Sequence, residues 1–212
     1  MDKSDHFNPT HLNELISGFK SSFKFRLVLL RTLPMGFLSG MKIKKLDENS
    51  CQVQVPYKWL NKNPFRSTFW AVLGMAAEMS SGALVLLYTY KQNPSISMLV
   101  SKCDAAFIKK ASDVTTFICN DGPLIRDAVS KTISTKEGVE IKTTMVGFNQ
   151  KKEEVAKASE NYFQAGNLAL RAKELPRLHK ALTALKRLAQ SNQYAQNQYV
   201  ELGHQVQSAL AD

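Results

Sequence analysis

The longest apolar run in the chain covers residues 67–90, STFWAVLGMAAEMSSGALVLLYTY, with a single ionisable side chain, Glu78, near its middle. A membrane span needs about 20 apolar residues, and the run is that long. Gly74, Ser80, Ser81 and Gly82 interrupt it, however, and a carboxylate at mid-depth is costly in lipid. The pattern therefore predicts a helix apolar on all faces because protein surrounds it. Ser67 or Thr68 is placed to cap its start, Pro64 lies just ahead, and Lys91-Gln92-Asn93-Pro94 stops it. Gly74 and the later small residues would let strands approach closely, so the expected geometry is a sheet curled around one central helix.

The flanking segments supply that sheet. After Asn8-Pro9, Leu12, Leu15, Ile16, Phe19, Phe23, Leu27 and Leu30 recur at helical spacing and end before Pro34 and Gly36. This predicts one amphipathic helix with Lys20, Lys24, Arg26 and Arg31 on or beside its apolar face, packed on the sheet or touching a membrane surface or acyl chain. Over residues 41–57 the pattern alternates, with Ile43, Cys51, Val53 and Val55 around an LDENS turn, as a hairpin or bent strand would. Beyond the central helix, residues 97–111, 114–120, 139–148 and 154–163 read as strands. Residues 122–134, with Pro123 at the start, read as a short surface helix. Segregated helices and mostly antiparallel strands make an α+β architecture.

After Ala165-Gly166 the composition shifts. Leu168, Leu175, Leu178, Leu182, Leu185 and Leu188, then Tyr199, Leu202, Val206 and Leu210, form a stripe at three- and four-residue spacing, which predicts a helical extension. Pro176 can open its second segment, and Asn192 and Gln196 interrupt any coiled-coil seam. The expected division is a helix over 1–33, a main domain over 34–165 and an extension over 166–212.

Charge and cysteine content narrow the function classes. A net charge of +10 suits polyanionic partners such as phosphorylated cofactors, acidic membranes or nucleic acid, although no nucleic-acid motif accompanies it and none is expected as a partner. Cys51, Cys103 and Cys119 are widely spaced and lack C-x-x-C pairing, which indicates neither a disulfide framework nor a zinc site. The polar first residues do not resemble a secretory signal, and a cytoplasmic location is expected. His6, His11, His179 and His204 lie in the terminal segments, which disfavours a Ser-His-Asp or Cys-His arrangement. No Gly-rich phosphate loop is present.

Three stretches carry a family resemblance: the loop Asn63-Pro-Phe-Arg-Ser-Thr68, the helical segment Ala76-Ala77-Glu78-Met79-Ser80-Ser81-Gly82, and the FIKKASDVTTFICNDG and GFNQKKEEVAKASENYF segments. Together with the order of elements, they resemble the hotdog-fold thioesterases, closest to the PaaI-like acyl-CoA thioesterases of the phenylacetate-pathway type and their thioesterase-like relatives. The resemblance spans roughly residues 34–163. It implies an antiparallel sheet wrapped around the long helix, a homodimer or dimer of dimers with sheets paired edge to edge, and active sites in clefts between subunits. By position it implies that Glu78 is the helix carboxylate and Asn63 the polar loop residue. Two features depart from the family pattern: Arg66 stands where the loop usually has glycine, and Phe69 and Trp70 replace small residues at the helix start.

The chemistry follows from the residue types as well. Thioester hydrolysis needs a donor for the developing oxyanion, and free amides at a helix N-terminus, here Ala71 and its neighbours, provide one. It also needs a base or nucleophile, for which Glu78 is the helix's only candidate, while Asn63 could hold the attacking water or the carbonyl. Each has a plainer alternative: Glu78 as a buried acid satisfied by Ser80 or Ser81, and Asn63 as a loop cap. Arg66, Ser67, Thr68, Ala71, Lys109 and Lys110 are the expected substrate-binding residues. Lys58, Lys62, Lys102 and Arg126 are further cations able to meet coenzyme A phosphates. Coenzyme A enters as part of the substrate, with acyl-carrier thioesters as the other carrier, and no metal or separate cofactor is expected. The competing reading is a non-catalytic acyl- or lipid-binding or assembly module on the same fold.

Overall fold

The computed structural model describes residues 7–92 and 95–166, leaving the expected C-terminal extension outside the described residues. The N-terminal part folds as three helices rather than the single expected one: α1 (Pro9–Lys20), α2 (Ser22–Thr32) and α3 (Pro34–Ser39). Asn8 caps α1 by accepting from the Thr10 amide at 2.9 Å. Ser21 breaks the helix because its extended backbone ends α1 while its side chain caps α2. Phe19 and Phe25 meet edge to face across this corner, their rings 5.7 Å apart. A continuous helix would have separated them.

The strands β1 (Lys42–Leu46), β2 (Cys51–Val55), β3 (Ile96–Phe107), β4 (Thr115–Cys119), β5 (Val139–Phe148) and β6 (Glu154–Gly166) form one sheet in the order β1-β2-β4-β5-β6-β3. Every neighbouring pair is antiparallel. The β1–β2 turn is held by Asp47, whose carboxylate accepts from the amides of Asn49 and Ser50 at 2.9 and 2.8 Å and pairs with Lys45 at 2.8 Å. Across β2 and β4, Cys51 and Cys119 are register partners and both remain free thiols. Burial pushes both thiols up, Cys119 to about 12.

The two sheet edges differ. β1 is short, carries Lys42, Lys44 and Lys45, contains a bulge and is covered by α1 and α2. At the other edge, β3 is 12 residues long, and among the described residues its one strand partner is β6.

The long helix α4 (Trp70–Thr89) lies on the sheet against β2, β4 and β5. Ala76, Ala77, Ser80, Ser81, Leu84, Val85, Leu87 and Tyr88 are buried there with Val53, Val55, Phe117, Met145 and Tyr162 of the strands. By length and composition α4 could cross a membrane, but most of it is packed as a core helix. The enclosure is incomplete. Trp70, Glu78 and Leu86 are exposed and Ala71, Gly74, Met75 and Gly82 half-buried, so one stripe of α4 is uncovered where an all-round burial was expected.

Neither expected residue caps α4. Its N-cap is Phe69, with no side-chain cap bond, because the chain enters through a strand-like bridge between Lys62 and Thr68. Ser67 instead accepts from the Asn63 side chain at 2.9 Å, and the Thr68 hydroxyl is buried without a partner among the described residues. Helix α5 (Gly122–Thr135) packs beside α4 and against β5, burying Ile125 and Val129. Its first residue must be glycine, since any Cβ there would collide with the Glu48 carbonyl of the β1–β2 turn.

Candidate active site

Two cavities meet over the first turn of α4, sharing Trp70, Leu73 and Phe107 in their walls. The outer one, about 760 Å³, lies between the loop before α4 and residues 107–111, and is bordered by Lys62, Lys109 and Lys110. The inner one, about 300 Å³, runs along the open stripe of α4 under β3 and β6. Ala71, Gly74, Met75, Val100, Ala105, Ala156 and Ala158 make it apolar, and two carboxylates, Glu78 and Glu160, enter its wall beside Cys103. Gly74 does not admit a strand as its size implied: a Cβ there would meet only open space.

The turn that opens both cavities is chemically suited to an anion. The amides of Val72 and Leu73 bond back to the Phe69 carbonyl, whereas those of Trp70 and Ala71 have no acceptor among the described residues. Donors of this kind sit at the positive end of the helix dipole. The rings of Phe69 and Trp70 stand edge to face at 6.2 Å on the rim, and both are exposed.

Of the residues singled out from sequence, Asn63, Ser67, Thr68, Lys109 and Lys110 line the outer cavity and Ala71 and Glu78 the inner one. Asn63 is occupied within its own loop: its oxygen accepts from the amides of Phe65 and Ser67 at 3.0 and 3.1 Å, and its nitrogen donates to Ser67. Arg66 is exposed outside both linings, at a φ of 59° where glycine would rest without strain. Lys109 pairs with Glu153 at 2.6 Å, and Lys110 carries the less compensated charge. Lys58 donates to the Leu38 carbonyl, while Lys102 and Arg126 pair with neighbouring aspartates, all away from the cavities.

The buried acid that bonds Ser81 is Glu160, not Glu78. Glu160 is 3% exposed, and its Oε2 accepts from Tyr162 at 2.7 Å and Ser81 at 3.1 Å, with the two hydroxyls 2.9 Å apart. Burial raises its carboxyl above the usual range against the pull of these two donors, and nearby Glu78 raises it further. The Cys103 thiol, across the register from Glu160, is likewise pushed up by burial and by both carboxylates. Strand parity was the signal for Glu160. It shares a face with Ala156, Ala158 and Tyr162, the face turned to α4.

Comparisons with known proteins address the fold. No family model matches the chain, and no curated protein matches it either. Among solved structures, a Chlorobaculum tepidum protein of unknown function is similar at 18% identity and a TM-score of 0.60, over 73% of this chain and 100% of that one. Thioesterase HI1161 of Haemophilus influenzae is similar at 9% identity and 0.52, over 69% and 91%. The PaaI protein from the phenylacetic acid degradation operon of E. coli is similar at 12% identity and 0.50, over 70% and 96%. With its antiparallel sheet folded about one long helix, the chain is a hotdog-fold protein.

Proposed function

We propose that the protein hydrolyses thioesters of hydrophobic acyl groups carried on coenzyme A or an acyl carrier, at a site completed by a second copy. The observation that carries this reading is the meeting of a lysine-bordered cavity and an apolar one at the two unbonded amides of α4. The phosphates of the carrier suit the first cavity, the acyl chain the second, and the thioester oxygen the amides of Trp70 and Ala71. Glu78 takes a proton from water as the water oxygen attacks the carbonyl carbon, giving a tetrahedral oxyanion held by the amides. Its collapse breaks the C–S bond, and Glu78 returns the proton to the departing sulfur, which leaves as the free thiol.

A second copy is proposed because the Glu78 side chain is exposed and the cavity it shares with Ala71 stands partly open in a single chain. Amides of one chain and Glu78 of another can converge if two β3 edges pair, and that edge is long, with β6 its one strand neighbour among the described residues. Turnover of an acyl-CoA panel tests the reading. Glu78→Ala and Trp70→Pro, each inactive alone, should restore about a quarter of wild-type turnover when mixed, the value for random pairing into dimers. No turnover by wild type on any chain length, with retained acyl-CoA binding, would favour the binding-module reading, which the full occupation of Asn63 within its loop supports. Turnover unchanged in Glu78→Ala would remove Glu78 from the site.

A further inference from the structure

We infer that α2 and α3 form a docking surface for an anionic phospholipid bilayer. Helix α2 is apolar on two opposite faces. Phe25 and Leu29 point inward and are buried, while Phe23, Leu27 and Leu30, spaced four and three residues apart, point outward and are 79%, 59% and 51% exposed. Met35 and Leu38 of α3 add two more exposed apolar side chains a few residues on. At 100° per residue, Lys24 and Arg31 flank one side of the outward face and Arg26 the other. This is the layout of a helix lying in the membrane plane, its apolar ridge in the acyl boundary and its cations among headgroups.

The charge distribution selects the occupant. Residues 15–46 contain seven Lys and Arg and no Asp or Glu, and among the described residues Lys24, Arg26 and Arg31 form no ion pair. A second copy seated on this face would bring like charges together. The segment 167–212, with six Lys and Arg against three Asp and Glu, is basic as well. An anionic lipid surface satisfies both the apolar ridge and its cationic flanks.

Flotation of the full chain with phosphatidylcholine vesicles, with and without about 30% phosphatidylglycerol, tests the inference. Binding is expected to the anionic vesicles and to weaken as salt rises. Lys24→Glu/Arg31→Glu should lose at least about fivefold in affinity per cation. Phe23→Ser/Leu27→Ser/Leu30→Ser should abolish binding while circular dichroism and melting stay those of wild type, since these side chains support no core. Equal affinity for neutral and anionic vesicles, no binding to either, or binding unchanged in both variants would overturn it. So would a dimer-to-monomer shift of the serine variant in light scattering, which would mark the face as a contact between copies.

Discussion

Replacing Tyr162 by phenylalanine isolates the buried hydroxyl–carboxylate cluster between α4 and β6. The phenol donates to Glu160 at 2.7 Å and lies 2.9 Å from Ser81, so the change deletes one donor from an acid that is 3% exposed and leaves the ring packing in place. A hydrogen bond to a charged acceptor contributes about 1.5–3 kcal/mol, and a neutral one about 1. Tyr162→Phe should therefore cost about 2 kcal/mol where Glu160 is ionised, or roughly 4–8 °C in melting temperature for a domain of this size. In a Glu160→Gln background, the same change should cost only about 1 kcal/mol.

The pH dependence has a definite sign. A carboxyl raised above its ordinary 4.5 binds protons more tightly folded than unfolded, so its contribution is fully present below 4.5 and declines as pH rises through the folded value. Glu160→Gln should flatten that decline and unfold at higher urea than wild type on the alkaline side. Urea titrations of the four proteins at pH 5 and pH 8 measure both effects. Equal cost of Tyr162→Phe in both backgrounds, or a Glu160→Gln protein less stable than wild type at pH 8, would refute the reasoning.

Three further outcomes follow from local geometry. Trp70→Pro removes a first-turn amide at a position where proline is compatible with the helix, so kcat should fall about 10²–10³-fold while Trp70→Ala, which keeps the amide, stays far more active. A comparable loss in both variants would assign the effect to the indole. Gly122→Ala places a methyl 2.7 Å from the Asn49 Cα and inside the Glu48 carbonyl, and should lower stability by about 3 kcal/mol in urea unfolding. The Asp47 carboxyl is raised by its partial burial but lowered more by Lys45 and the turn amides, to about 2. Its contribution is therefore present above about pH 4 and lost as pH falls through about 2, and Asp47→Asn should cost about 1 kcal/mol at pH 6 after solvent screening and less than half of that at pH 2.

The architecture was legible because α4 breaks the usual rule for surface helices. A run with one charge among its apolar residues has to bury most of its surface, and the alternating segments on either side cover it except along one stripe. Strand boundaries followed from β-branched alternation and from Asp-, Asn- and Gly-containing turns. What escaped the sequence depended on contacts between distant residues. Periodicity could not reveal the break at Ser21, because apolar positions on both sides keep helical spacing while the chain turns to bring Phe19 onto Phe25. The cap of α4 was misplaced because Asn63 engages Ser67 and the bridge to Lys62 holds Thr68 in extended form. Glu160 sits on the inward face of β6, but a segment rich in Ala and Glu weakens the strand signal from which that parity is read.

The open stripe of α4 and the β3 edge of the sheet are one feature seen from two sides. β3 overhangs α4 instead of packing on it, which leaves Phe107 and Ile108 exposed and the cavity lined by Glu78, Cys103 and Glu160 partly uncovered. At the opposite edge, three lysines, a bulge and two helices prevent any strand from adding. Among the described residues, the β3 edge is thus the side on which the sheet can grow. The proposed pairing along β3 would bring new backbone beside the cavity that holds the carboxylates. Disrupting the edge by Lys102→Pro, which also removes a backbone donor, should therefore lower oligomeric state and turnover together, and loss of one without the other would separate assembly from the site.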